Sequence, residues 1–62
     1  MPKTPLEMEK IIMRDGWYWD RTRGSHRQYK HPIKKGVVTI AFHTKELTKG
    51  TENSILKQAG LK

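Results

Sequence analysis

Apolar residues near the amino terminus recur at the spacing of a helix. Thr4-Pro5-Leu6-Glu7 carries the signals of a helix start, namely a capping threonine, a proline at the first helical position and a glutamate three residues after the cap. Asp15-Gly16 is suited to end the helix, because glycine accepts the left-handed conformation that follows a last turn. The pattern predicts a first helix over residues 4–15. Its apolar face comprises Met8, Ile11 and Ile12.

The pattern then changes from helical spacing to strand-like runs. Residues 17–23 are rich in aromatic side chains, and Gly24-Ser25 is a tight-turn pair that connects them to residues 26–31. Pro32 stops this second run, and a β-branched run follows over residues 37–42. The sequence therefore predicts three antiparallel strands in a meander.

A second helix is predicted at the carboxyl terminus, where Ile55, Leu56 and Ala59 have helical spacing. Thr48 and Thr51 are both candidate caps, and Gly60 ends the helix. The order α-β-β-β-α predicts an α+β fold, with two helices packed on one face of a three-stranded antiparallel sheet. We expect a single domain over residues 1–62, since no repeat or linker is present.

Alternation along the second strand separates its two sides. Tyr29 is the only large apolar residue in that strand, so its side, shared with Arg27 and His31, is expected to face the helices. Trp17 is also expected in the core. For Trp19 the sequence leaves two possibilities, packing in the core and stacking on bases. The residues expected to face solvent are His26, Gln28 and Lys30.

Positive charge is concentrated in the middle of the chain. The net charge is +7, and residues 21–45 contain seven Lys or Arg and no Asp or Glu. Localised positive charge attracts polyanions through counterion release, so it favours RNA binding, although a solvated strand face is an equally common reason for such a pattern. The seven cations are Arg21, Arg23, Arg27, Lys30, Lys34, Lys35 and Lys45.

Several classes of chemistry find no support in the composition. The chain has no cysteine, so it has no disulfide, thiolate zinc site or cysteine nucleophile. The lack of cysteine is compatible with a reducing cytosol, so we expect a cytoplasmic location. We expect no membrane insertion, because no apolar stretch is long enough to span a bilayer. His26, His31 and His43 lack compact ligand spacing and have no Asp or Glu among them. We expect neither a metal nor another cofactor.

His26 is the leading candidate for proton transfer, because it follows the predicted turn inside the basic segment. Histidine has an ordinary pKa of about 6.5, so it can accept or donate a proton near neutral pH. On RNA it would act at the 2′-hydroxyl beside the scissile phosphate, with Arg23 and Lys30 nearest in the chain to stabilise the developing charge. The alternative is a surface histidine that only bonds to its turn. His31 and His43 are weaker candidates.

Several short blocks of residues follow one another along the chain, namely Asp15-Gly16-Trp17, Gly24-Ser25-His26, Gln28-Tyr29-Lys30-His31-Pro32, Val38-Thr39-Ile40, Lys45-Glu46-Leu47, Lys49-Gly50-Thr51 and Ile55-Leu56-Lys57-Gln58-Ala59-Gly60. With these blocks in this order, the chain resembles the HicA toxins of bacterial type II toxin–antitoxin systems. The resemblance covers nearly the whole chain, and several blocks in the right order are more specific than any one of them.

This resemblance implies a fold like that of double-stranded-RNA-binding domains and a metal-independent endoribonuclease that cleaves mRNA and blocks translation. It also implies that His26 is the essential catalytic histidine, that Gly24 and Ser25 form the turn presenting it, and that a HicB-like antitoxin masks the basic face. The residues expected to hold RNA are Arg23, Ser25, Arg27, Lys30, Lys34 and Lys35. Two alternatives are a double-stranded-RNA-binding module without catalysis and a purely structural or regulatory partner of another protein.

Overall fold

The computed structural model describes residues 3–43 and 45–62, which form two helices and three strands. The order α-β-β-β-α confirms the predicted α+β fold. The elements are α1 (Pro5–Arg14), β1 (Tyr18–Arg23), β2 (His26–Lys30), β3 (Val38–Ala41) and α2 (Lys49–Gln58).

Both helices begin at threonine caps. At α1 the Glu7 amide donates to the Thr4 hydroxyl at 3.2 Å, and the Thr4 amide donates to the Glu7 carboxylate at 2.9 Å. This reciprocal capping box lowers the pKa of Glu7, mainly through the bond from the Thr4 backbone. At α2 the cap is Thr48, whose hydroxyl accepts from the Thr51 amide at 3.2 Å, so the first of the two candidate positions is the one used.

The three strands form one antiparallel sheet in the order β1-β2-β3, as a meander requires. Gly24-Ser25 joins β1 to β2, with Arg23 directly opposite His26. Gly24 has φ +62, as expected for glycine at the first position of a type II′ hairpin turn. The pairing of β1 with β2 contains one irregularity, between Trp19 and Arg21.

The helices cover one face of the sheet, and the apolar side chains between them make the core. Tyr29 on β2 and its neighbours on β3 point to this face, and Trp17 closes the end of the core beside α2, donating its indole N–H to the Ala59 carbonyl at 3.3 Å. The predicted placement of Trp17 and Tyr29 is confirmed. The core consists of Met8, Ile12, Trp17, Tyr29, Val38, Ile40, Leu47, Ile55 and Ala59.

A polar cluster anchors β2 to α1 within this core. Glu9 is only 9% exposed and accepts hydrogen bonds from the Tyr29 hydroxyl and from Arg27, the latter at 2.9 Å. Burial, together with the bond to Glu9, raises the pKa of Tyr29 above its usual range, so the phenol stays protonated and donates. The bond to Glu9 likewise raises the pKa of Arg27. A carboxylate this buried is tolerated because two donors satisfy it.

His31 has a structural role beside Trp17. Its Nδ1 accepts from the Ile33 and Lys34 amides, both at 3.0 Å, so its Nε2 carries the proton and donates to the Asp15 carbonyl at 2.7 Å. The ring meets Trp17 edge-on at 5.2 Å between centroids. These bonds hold the β2–β3 loop against the end of α1, a structural role for a histidine that the sequence made a weaker candidate for proton transfer than His26.

Gly16 lies where this contact leaves no room for a side chain. Its φ is +107, and a Cβ added there would lie 2.7 Å from the His31 Nε2, which is held in place by its bond to Asp15. Gly36 also has a left-handed φ, +92, but a Cβ there would meet nothing within 4 Å. Alanine substitutions at these two glycines therefore separate the free-energy cost of a left-handed backbone conformation from the cost of a steric clash.

We predict that Gly16→Ala lowers the free energy of unfolding by at least about 2 kcal/mol, since left-handed strain and overpacking add. Gly36→Ala, the control, should lose only about 1 kcal/mol from strain. Urea unfolding followed by tryptophan fluorescence measures both. Equal losses in the two variants would contradict a clash at His31.

Candidate nucleic-acid interface and catalytic site

The sheet face away from the helices carries the candidate site. Because residues alternate along each strand, the register places Arg23, His26 and Ala41 side by side across the three strands at one end of this face. Gln28 and Lys30 follow along β2, so the predicted division of that strand into a core side and an open side agrees with the burial of Tyr29 and the exposure of His26. We call this surface the open face. Its members are Tyr18, Arg21, Arg23, His26, Gln28, Lys30, Thr39 and Ala41.

His26 is the first residue of β2 and is exposed. The turn before it is tied to the third strand, because the Ser25 carbonyl accepts from the Phe42 amide at 2.7 Å. The position of the imidazole is thus set by the hairpin and by β3 together. Its two neighbours across the sheet are Arg23 on β1 and Ala41 on β3.

His43 lies next to His26, a proximity that the sequence analysis did not identify. The two rings meet edge to face, with centroids 5.5 Å apart and planes inclined at 73°. His43 follows Ala41 by two residues and so continues the same side of the chain past the end of β3. The alternation of β3 was visible in the sequence, but its register against β2 was not.

The predicted RNA-binding cations fall into two groups. Among residues 3–43 and 45–62, none of the ion pairs involves Arg23, Lys30 or Lys35, and all three are exposed. Arg23 lies beside His26, whereas Lys30 lies four residues along β2, about 13 Å away at the usual rise of a strand. Lys35 lies in the β2–β3 loop, beyond that end of the sheet. Arg23, and not Lys30, is therefore the cation next to His26.

Arg27 and Lys34 already have partners inside the protein. The Arg27 guanidinium bonds to Glu9 and lies between two rings, 4.2 Å from the centroid of Trp19 and 4.1 Å from that of Phe42. This contact also shows that Trp19 packs on the helix side of the sheet, where its indole N–H donates to the Thr22 hydroxyl at 2.8 Å.

Lys34 connects the ends of both helices. It donates to the Asp15 carboxylate and, at 3.0 Å, to the Ala59 carbonyl. The hydrogen bond from Lys34 is the main reason that the pKa of Asp15 lies below its usual range. The RNA-binding roles of Arg27 and Lys34 stay predictions, but their contacts favour a structural role for both.

Ser25, the other predicted RNA contact, is half-buried in the hairpin turn beside His26. In the described part of the chain, no three His, Asp or Glu side chains lie close enough together to hold a metal ion. No helix there is long and apolar enough to cross a membrane.

The fold and this surface define a small basic α+β domain with one open sheet face and a pair of histidines at its end. The sequence profile of the HicA toxin of bacterial toxin–antitoxin systems matches residues 7–61. A solved structure described as a toxin–antitoxin complex from Streptococcus pneumoniae matches 97% of this chain and 100% of that chain, with 39% identity and a TM-score of 0.81. No curated protein shows a significant match. The chain belongs to the HicA toxin family, as its motifs predicted.

The different surroundings of Arg27 and Arg23 give a matched pair of substitutions. Arg27→Met is expected to lower Tm by at least about 6 °C, since it removes a charged hydrogen bond and leaves the buried Glu9 with one donor. Arg23→Met, on the exposed side of the neighbouring strand, should change Tm by no more than about 4 °C. Thermal unfolding followed by circular dichroism measures both shifts, and similar shifts would contradict the structural role of Arg27.

Proposed function

We propose that this chain is an endoribonuclease toxin that cleaves mRNA without a metal, with His26 in proton transfer. The observation that supports the proposal most directly is an exposed imidazole next to a hairpin turn, beside an arginine that forms no ion pair within the described residues, in a chain that belongs to a toxin family. Cleavage of mRNA in this way blocks translation. These residues, rather than the fold, support the proposed activity, because a fold alone does not imply a reaction.

The residues around His26 suit cleavage of a phosphodiester next to a 2′-hydroxyl. A neutral imidazole can take the hydroxyl proton, after which the 2′-oxygen attacks phosphorus. Arg23, directly across the hairpin, can stabilise the negative charge that grows on the phosphoryl oxygens. The backbone of the Gly24-Ser25 turn brings the RNA strand close to both groups. The imidazole, the guanidinium and the turn backbone are all groups of this chain.

RNA is proposed to lie along the open face, held by those of the predicted RNA-binding cations that form no ion pair within the described residues. Arg23 binds at the cleavage site, Lys30 at a neighbouring phosphate and Lys35 beyond the end of the sheet. Ser25 contributes a hydroxyl near His26. Arg27 and Lys34, in contrast, support this surface from within, through Glu9 and Asp15.

The partner protein in this proposal is a HicB-like antitoxin that covers the open face. Support comes from the structural neighbour from Streptococcus pneumoniae, which is described as a toxin–antitoxin complex. An occupant of a surface with these cations and few carboxylates is expected to present acidic groups. Such an antitoxin would prevent RNA from reaching His26 by occupying the same phosphate-binding positions.

We predict that His26→Ala slows RNA cleavage by at least about 100-fold, the usual contribution of a general acid or base. Its stability should stay within about 0.5 kcal/mol of wild type, because the side chain is exposed. The measurement is cleavage of a defined RNA by the purified chain in the presence of a chelator. Gln28→Ala, on the same side of β2, is the control and should retain cleavage.

Two outcomes would contradict this proposal. If the wild-type chain binds RNA but leaves it intact, the non-catalytic double-stranded-RNA-binding module becomes the better interpretation. If His26→Ala cleaves as fast as wild type, the activity belongs to another group or to a contaminant. Growth arrest on expression of wild type, but not of His26→Ala, would extend the result to cells.

RNA affinity should fall steeply with added salt. Three phosphate contacts on single-stranded RNA correspond to a slope of about −2 in a plot of log affinity against log salt concentration. Lys30→Ala should make the slope shallower by about 0.7, whereas Lys10→Ala, which removes an exposed charge from α1, should leave it unchanged. Fluorescence anisotropy with an uncleavable 2′-deoxy oligonucleotide measures this, and an affinity indifferent to salt would exclude an electrostatic interface.

A further inference from the structure

His43 lies beside His26 without an evident structural reason. Both side chains are exposed, so their contact at 5.5 Å does not contribute to the core. Across residues 3–43 and 45–62, neither imidazole is part of a side-chain hydrogen bond, in contrast to His31, which is bonded at both nitrogens. Two imidazoles that form no side-chain hydrogen bond within the described residues thus meet at the end of the open face.

The backbone brings the two histidines together. His26 pairs with Ala41, and the next pair of residues is joined by the bond from the Phe42 amide to the Ser25 carbonyl. His43 therefore follows on the same side as Ala41, diagonal to His26, where long side chains of neighbouring strands reach each other. The sheet, rather than a chance meeting of surface side chains, sets this arrangement.

The proposed reaction requires two proton transfers, and only one has been assigned. The 2′-hydroxyl must lose a proton as its oxygen attacks, and the departing 5′-oxygen must gain one. Within the described residues, the only histidine that has a carboxylate within 4.0 Å is His31, so no Asp or Glu near His26 supplies the second group. His43 is the titratable side chain in contact with His26.

We propose that His43 is the second proton-transfer group of this site, and that His26 and His43 divide the two transfers; this rests on the proposed ribonuclease function. One neutral imidazole takes the proton of the 2′-hydroxyl as the O2′–P bond forms. The other, protonated, gives its proton to the 5′-oxygen as the P–O5′ bond breaks. The products are a 2′,3′-cyclic phosphate and a 5′-hydroxyl, and exchange with water restores both imidazoles.

The distance between the two imidazole rings suits a division of the two proton transfers between them. Each imidazole reaches a phosphoryl or hydroxyl oxygen over a hydrogen bond of about 2.7–3.2 Å, so two rings with centroids 5.5 Å apart can contact one phosphodiester together. Arg23 lies on the other side of His26 and can hold a non-bridging oxygen. One scissile phosphate then meets a base, an acid and a cation.

The test uses an RNA in which sulfur replaces the bridging 5′-oxygen at the cleaved bond. A thiolate leaves without a proton, so the variant that lacks the acid recovers on this substrate, whereas the variant that lacks the base does not. We expect His43→Ala to lose at least about 100-fold on ordinary RNA. Of His26→Ala and His43→Ala, one should recover on the sulfur-bridged RNA and the other should not.

His43→Gln distinguishes proton transfer from positioning. Glutamine keeps a hydrogen-bonding side chain but transfers no proton, so this variant should be as slow as His43→Ala while it keeps wild-type Tm and RNA affinity. Recovery of the rate with glutamine would show that His43 only positions the RNA or His26, and would overturn the proposal.

Other outcomes also overturn it. A wild-type rate for His43→Ala on ordinary RNA removes His43 from the reaction, and recovery of both variants or of neither on the sulfur-bridged RNA excludes a division of roles. If wild type itself fails to cleave ordinary RNA, the proposed function fails and this inference fails with it. A wild-type chain that cleaves, with a fully active His43→Ala, refutes only the role of His43.

Discussion

The placement of one side chain, Tyr29, determines which groups this protein presents to solvent. Its ring is fully buried in the middle strand, and its hydroxyl is bonded to Glu9 on α1. Because successive side chains of a strand point to opposite faces, a slip of one residue would expose Tyr29 and turn His26 toward the helices. The interaction that holds the sheet to the helix therefore also keeps the candidate catalytic group on the open face.

The cations of this chain fall into two groups that the amino-acid sequence alone does not distinguish. Arg27 and Lys34 connect the sheet and its loop to the helices through Glu9 and Asp15. A chain of 62 residues without cysteine gains from such polar connections, because a small core supplies little stability. Every buried side-chain nitrogen and oxygen in the described residues has a hydrogen-bond partner, as these connections require. Arg23, Lys30 and Lys35, which form no ion pair within the described residues, define the surface proposed to hold RNA.

Prediction from sequence succeeded for the exposure of His26 and was incomplete for its surroundings. The turn at Gly24-Ser25 and the alternation around Tyr29 were enough to predict an exposed His26, because both signals act within a few residues. Lys30 was predicted beside His26 from its spacing, yet a strand carries it along the sheet while Arg23 returns across the hairpin. The contact with His43 depends on the pairing of β2 with β3, which a loop separates in the chain.

The amino-acid sequence by itself determined the elements, their order and the face of β2 that is buried. Caps, glycine turns and alternation are local, and their physical effects do not depend on the rest of the chain. The tertiary structure alone decided which cations are paired within the protein and which histidines meet. Those outcomes depend on strand register and on helix packing, which bring together side chains such as Arg27 and Glu9 that are distant in sequence.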